Sequence, residues 1–143
     1  MLGLTDYLDS MYQAHFPSEN APSERERWQK MFDLMSAHEE ALAQPVVDFL
    51  NAHPKARIIG EASADAQLRV PTIAFAHESM DSKAIVDQVD EHKIAIRYGD
   101  FYAKKLIHDL GLEAQNGVVR ISMVHYNTLE EANRLVGVLE TIL

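Results

Sequence analysis

The sequence predicts an α+β fold: a small mixed or antiparallel sheet with helices packed on one face, preceded by a long N-terminal helical segment. Three observations lead there. Apolar residues recur at helical spacing through the first 50 residues, short β-prone runs alternate with helical ones after that, and the β-prone runs alternate in polarity so that each has one apolar face. With 143 residues and 47% hydrophobic side chains, the chain can bury a core of its own.

Leu4, Leu8, Met11 and Tyr12 predict a short amphipathic helix ending near His15 and Phe16, and residues 17–23 a loop. Ser23 and Glu26 have the reciprocal spacing of a capping box. Trp28, Met31, Phe32, Met35, Leu42, Val46 and Phe49 then mark a long helix reaching Leu50. Pro45 lies inside it. A proline in a helix interior lacks the N–H and clashes with the preceding turn, at a cost of about 3 kcal/mol, so a kink held by packing or a junction of two helices is expected there.

Residues 57–59, 70–76, 94–98 and 118–124 read as strands, and 81–93, 101–110 and 128–143 as helices. Gly111 punctuates the second of these helices as a left-handed cap, and Asn127 and Thr128 with Glu130 and Glu131 start the last one. Pro71 cannot donate to a ladder, so its strand lies at an edge or begins there. Alternation puts Ile73 and Phe75, Ile94, Ile96 and Tyr98, and Val119, Ile121 and Met123 on the helix-covered face. Thr72, Arg97, Arg120 and Ser122 fall on the other, which looks onto water, a ligand or another domain. The expected division is a helical segment over 1–56 and an α+β domain over 57–143.

A net charge of -9 argues against a broad phosphate-binding surface, and so against nucleic acid as partner. The absence of cysteine removes disulfides, thiolate metal sites and a cysteine nucleophile. No apolar run approaches the roughly 20 residues of a membrane helix, and the N-terminus has no basic-then-apolar signal, so a cytoplasmic location without a membrane partner is expected. None of the seven histidines forms an i, i+4 pair, so no metal site is expected. No nucleophile elbow and no glycine-rich phosphate loop is present. His38, Glu39 and Glu40 read as the solvated face of a long helix.

Two segments carry more information. Arg97 to Ala103 (RYGDFYA) runs from a strand through a glycine turn into a helix. Val119 to Glu131 (VRISMVHYNTLEE) presents Arg120 from a strand just before a capped helix. A guanidinium on a rigid strand suits a carboxylate, because two parallel N–H donors match two oxygens; an outward strand arginine is also an ordinary surface residue.

In order and spacing, RVPTIAF from Arg69, IAIRYG from Ile94, VRIS from Val119 and YNTLEE from Tyr126 resemble the C-terminal small domain of class V aminotransferases. These are fold-type I enzymes dependent on pyridoxal phosphate (PLP), and the likeness is strongest to their cysteine-desulfurase-like branch. It covers residues 57–143, while 1–56 resemble the helical linker to the large domain. The resemblance implies that Arg120 holds the α-carboxylate of an amino-acid substrate. It aligns Asp100, Phe101 and Tyr102 with the desulfurase Gly-His-His-Cys-Ala turn, so the persulfide-forming cysteine is replaced by Tyr102. Desulfuration through a protein thiolate is then impossible. Tyr102 lines the substrate pocket or packs against the neighbouring domain.

The resemblance also places the Schiff-base lysine, the partner of the pyridine nitrogen and most phosphate ligands in the large domain. Lys104 and Lys105 match nothing around that lysine. The missing PLP-binding large domain is therefore the expected partner, and the chain is expected to bind no cofactor by itself and to be inactive alone. A homo-oligomer is expected from apolar surface on the first helix and on residues 28–35. The rival expectation is a non-enzymatic binding or interaction module that keeps the fold.

Overall fold

A computed structural model describes residues 2–17 and 23–143; of the loop expected over 17–23, residues 18–22 lie outside the described residues. The chain divides into two compact units, Met1–His38 and Glu39–Leu143. In the first, helix α1 (Leu2–His15) meets the N-terminal part of helix α2 (Glu24–Ala52). Leu8, Tyr12 and Met31 are buried against one another, with Met11, Phe16, Trp28 and Met35 packed around them. Leu4, Tyr7 and Phe32 remain exposed. The expected capping box forms: the Glu26 carboxylate accepts from the Ser23 backbone N–H at 2.8 Å, and Ser23 Oγ accepts from the Glu26 N–H at 3.4 Å.

Helix α2 passes through Pro45 as a single element rather than breaking in two. Leu42, Ala43, Val46, Val47 and Leu50 explain why: all are fully buried in the core of the second unit, and that burial outweighs one lost backbone hydrogen bond.

The second unit continues with β1 (Ala56–Ile58), β2 (Thr72–His77), α3 (Ser82–Glu91), β3 (Arg97–Gly99), α4 (Lys104–Asp109), a 3₁₀ turn (Glu113–Gln115), β4 (Val118–Ser122) and α5 (Leu129–Ile142). The sheet order is β1-β2-β4-β3, and every neighbouring pair is antiparallel. β2 begins directly after Pro71, whose carbonyl accepts from Met123 N–H, so a central strand tolerates the proline at its entrance. β3 is shorter than expected, because Ile94 and Ile96 pack into the core without a ladder partner and pairing starts at Arg97 opposite Arg120.

Ile73 and Phe75 of β2 and Val119 and Ile121 of β4 point into the main core with α2, with Ile85, Val86 and Val89 of α3 and with Ala132, Leu135 and Leu139 of α5. The opposite face is less open than its polar residues imply. At one end Ala76 and Val118 pack with Ile107 of α4 and with Leu112. These small apolar residues occupy the off-core positions between the polar ones, and they are enough to seat a short helix. α4 ends in a Schellman motif: Gly111 (φ 69°) donates to His108 and Leu112 donates to Ile107, satisfying the last carbonyls.

At the start of α5, Thr128 Oγ1 accepts from Glu131 N–H at 3.2 Å, and the Glu131 carboxylate accepts from Thr128 N–H at 2.8 Å. Thr128→Ala should cost about 1 kcal/mol in urea unfolding, the usual value of an N-cap. Hydrogen bonds from Thr128 N–H and Asn127 hold the Glu131 carboxyl below its ordinary 4.5. Because the folded value is the lower one, this contribution is complete above the unfolded value of 4.5 and is lost as pH falls through the folded value. Glu131→Gln should therefore weaken the protein at neutral pH and flatten the fall in stability on acidification, as read from urea midpoints across that range.

Candidate functional site

Alternation along β4 sends Arg120 away from the main core while Val119 and Ile121 fill it. Its cross-strand neighbours are Ala74 of β2 and Arg97 of β3. Alanine leaves room beside the guanidinium. The second arginine makes this patch positive within an acidic chain.

The turn after β3 supplies a shelf. Gly99 (φ 134°) is followed by two non-glycine residues in the left-handed region, Phe101 (φ 49°) and Tyr102 (φ 68°). Such residues cost roughly 1–2 kcal/mol each, so the turn must be held. Asp100 does so twice: its carboxylate accepts from Tyr102 N–H at 2.9 Å, and its carbonyl accepts from Ala103 N–H at 2.8 Å. The result aims the Phe101 ring at Arg120, whose Cζ lies 3.9 Å from the ring centroid. A cation–π contact of this kind contributes about 0.5–2 kcal/mol and fixes the guanidinium plane.

Arg120 is half-buried, its Nε is buried without a hydrogen-bond partner, and no carboxylate pairs with the group among the described residues. An unpaired buried donor costs about 1–3 kcal/mol, more when charged, and the cost is relieved when an acceptor arrives from outside. A planar acceptor with two oxygens fits this group best.

Tyr102 stands apart from Arg120, with its side chain wholly in solvent. The structure brings Phe101 to the arginine instead. The sequence signal for Phe101 was its place in the glycine turn, but which of two adjacent aromatics turns inward depends on the positive φ values. Asn127 and Thr128 serve α5: Asn127 Oδ1 accepts from Val124 N–H at 2.9 Å, and Thr128 is the cap. Glu40 accepts from Ala66 N–H, so it fastens a loop. No helix among the described residues is long and apolar enough to cross a membrane.

The family model for aminotransferase class V matches residues 28–135. The chain belongs to the class V aminotransferase family. The aminotransferase-like protein FGM3 of Gibberella zeae is 37% identical over 113 residues, covering 78% of this chain and 28% of FGM3. A cysteine desulfurase of Synechococcus elongatus is 29% identical over 110 residues, covering 77% of this chain and 16% of the relative. The chain thus spans under a third of the length of either. Among solved structures, the apo cysteine desulfurase of Thermococcus onnurineus NA1 superposes with a TM-score of 0.69 at 23% identity, over 83% of this chain and 28% of that one. The cysteine desulfurase CsdA of Escherichia coli gives 0.63 at 21% identity, over 87% and 31%. These likenesses show the same α+β fold.

Class V aminotransferases are PLP-dependent. The residues of this chain do not by themselves fit a PLP seat. A Schiff-base lysine needs a desolvated pocket and a phosphate needs clustered donors, yet Lys55, Lys83, Lys93, Lys104 and Lys105 are all exposed and Lys30 lies on α2 in the first unit. Lys104 does border a recess with Tyr98 and Asp100, but Glu113 lines it too, and two carboxylates repel a phosphate.

Proposed function

We propose that this chain is the small domain of a class V aminotransferase or cysteine-desulfurase-like enzyme, that Arg120 holds the α-carboxylate of its amino-acid substrate, and that a second, PLP-carrying domain completes the site. The observation that carries the reading is a guanidinium fixed on a strand, stacked at 3.9 Å on Phe101, with a buried Nε lacking a partner. PLP, held by the second domain, would supply an electron sink for carbanion chemistry at the substrate Cα.

This chain binds and orients. Two guanidinium N–H groups take the two carboxylate oxygens, the Phe101 ring keeps the guanidinium plane from rotating, and Arg97 adds a positive field that favours an anion. Tyr102, displayed on its held turn, contacts the second domain or the substrate. The chain has no cysteine, so no persulfide forms on it, and the reading is of an enzyme that uses the fold for other amino-acid chemistry. Without the second domain it is inactive.

The test is an NMR titration following the Arg120 side-chain Nε–H. Alanine should move that resonance saturably and alaninamide, which lacks the carboxylate, should not. No shift with alanine, or the same shift with both, would count against the carboxylate role.

A further inference from the structure

We propose that the recess bounded by β1, the end of β2 and the 3₁₀ turn binds a small molecule with a carboxamide at one end and an anionic group at the other. The recess holds about 350 Å³ and is lined in part by His77, Gln115, Leu112, Lys55, Arg57 and Glu78. It shares no residue with the Arg120 site.

His77 is 2% exposed. Its Nδ1 accepts from the backbone N–H groups of Ser79 at 3.3 Å and Met80 at 3.1 Å. A neutral ring whose Nδ1 accepts must carry its proton on Nε2, so Nε2–H is a donor. Burial, then the neighbouring His53 and Lys55, hold this imidazole below its ordinary 6.5, against the opposing pull of Glu78, so the ring is neutral at physiological pH. Nε2 is buried and has no partner.

From the 3₁₀ turn, Gln115 Oε1 is likewise buried without a partner. That turn is well anchored: Gly117 N–H donates to Leu112, Ser82 Oγ–H donates to Gly117, and Asn116 Nδ2 donates to Asp81. Two residues that line the recess therefore carry an idle donor and an idle acceptor, each closed to solvent in the free chain, both on fixed backbone. Native interiors rarely leave two such atoms unsatisfied together.

A carboxamide meets both needs, since its C=O accepts from His77 and its N–H donates to Gln115. A carboxylate has no proton to give Gln115. Lys55 and Arg57 are exposed and add positive charge at the rim, where an anionic tail would end. A metal is disfavoured: the His53 and His77 rings lie 5.5 Å apart, but both Nδ1 atoms accept backbone N–H groups, and among the described residues no group of three ligating side chains exists.

The experiment titrates the chain with succinamate, succinate and acetamide while following the His77 ring nitrogens by NMR. Succinamate should shift Nε2 saturably, with succinate and acetamide each about tenfold weaker, the value of one hydrogen bond or one rim contact. Gln115→Met should weaken succinamate about tenfold while leaving thermal unfolding unchanged, so that the loss reports binding rather than folding. Three results would overturn the proposal: no saturable shift, succinate binding as tightly as succinamate, or a direct His77–Gln115 hydrogen bond in the free protein.

Discussion

Gly117→Ala is expected to destabilise the second unit by about 3 kcal/mol or more and to lower Tm by roughly 10 °C. Two causes add. Gly117 has φ 79°, where an L side chain costs about 1–2 kcal/mol. In addition, a Cβ there would lie 2.3 Å from the Gly99 carbonyl oxygen and 2.5 Å from its carbon, which are backbone atoms of the adjacent strand and cannot swing aside. Gly111 is the control. Its φ of 69° is similar but its Cβ position is open, so Gly111→Ala should cost only about 1 kcal/mol. Parallel thermal unfolding followed by circular dichroism checks both; equal losses would mean that the close approach of the two backbones carries no energy. The clash lies at the root of the turn bearing Phe101, so Gly117→Ala should also loosen Arg120.

Much of this architecture was legible because local signals agree with the global fold. The capping boxes at Ser23 and Thr128 need only three residues and a reciprocal pair of hydrogen bonds, and both form where the sequence places them. Alternation assigned Ile73, Phe75, Val119 and Ile121 to the core, since strand side chains have no other choice of face. Where local rules fell short, tertiary packing had decided. Pro45 stays inside an unbroken helix because its flanks are buried, and residues 94–96 leave the ladder, although β4 continues to Ser122, as Ile94 and Ile96 pack into the core.

The candidate site divides the same way. The side of the strand that Arg120 occupies is a matter of parity, readable from the sequence. Its shelf is not: the inward turn of Phe101 and the outward turn of Tyr102 follow from consecutive left-handed residues held by Asp100, a conformation their side chains disfavour. His77 and Gln115 lie 38 positions apart with no shared motif, so only the folded chain brings them to one recess.

On the proposed reading, Arg120→Ala is expected to reduce kcat/KM for an amino-acid substrate by about a hundredfold or more once the chain is joined to a PLP-carrying domain. The figure follows from two charge-assisted hydrogen bonds, each contributing about 1.5–3 kcal/mol. Arg120→Lys keeps the charge but loses the planar fork, so it should recover only part of the loss. Phe101→Ala leaves the guanidinium in place and frees its plane, and should cost about tenfold, an effect of positioning. Folding is not the cause to fear: Arg120 faces away from the main core, and removing it forfeits a stack of about 0.5–2 kcal/mol while relieving an unpaired buried donor. Circular dichroism of the three variants should therefore match the parent while the kinetics separate. If the clamp acts equally on bound substrate and transition state, the loss appears in KM; if the carboxylate must be held to align the scissile bond at Cα, kcat falls as well. Full activity in Arg120→Ala would remove the carboxylate clamp from the reading and leave the proposed small domain a structural role only.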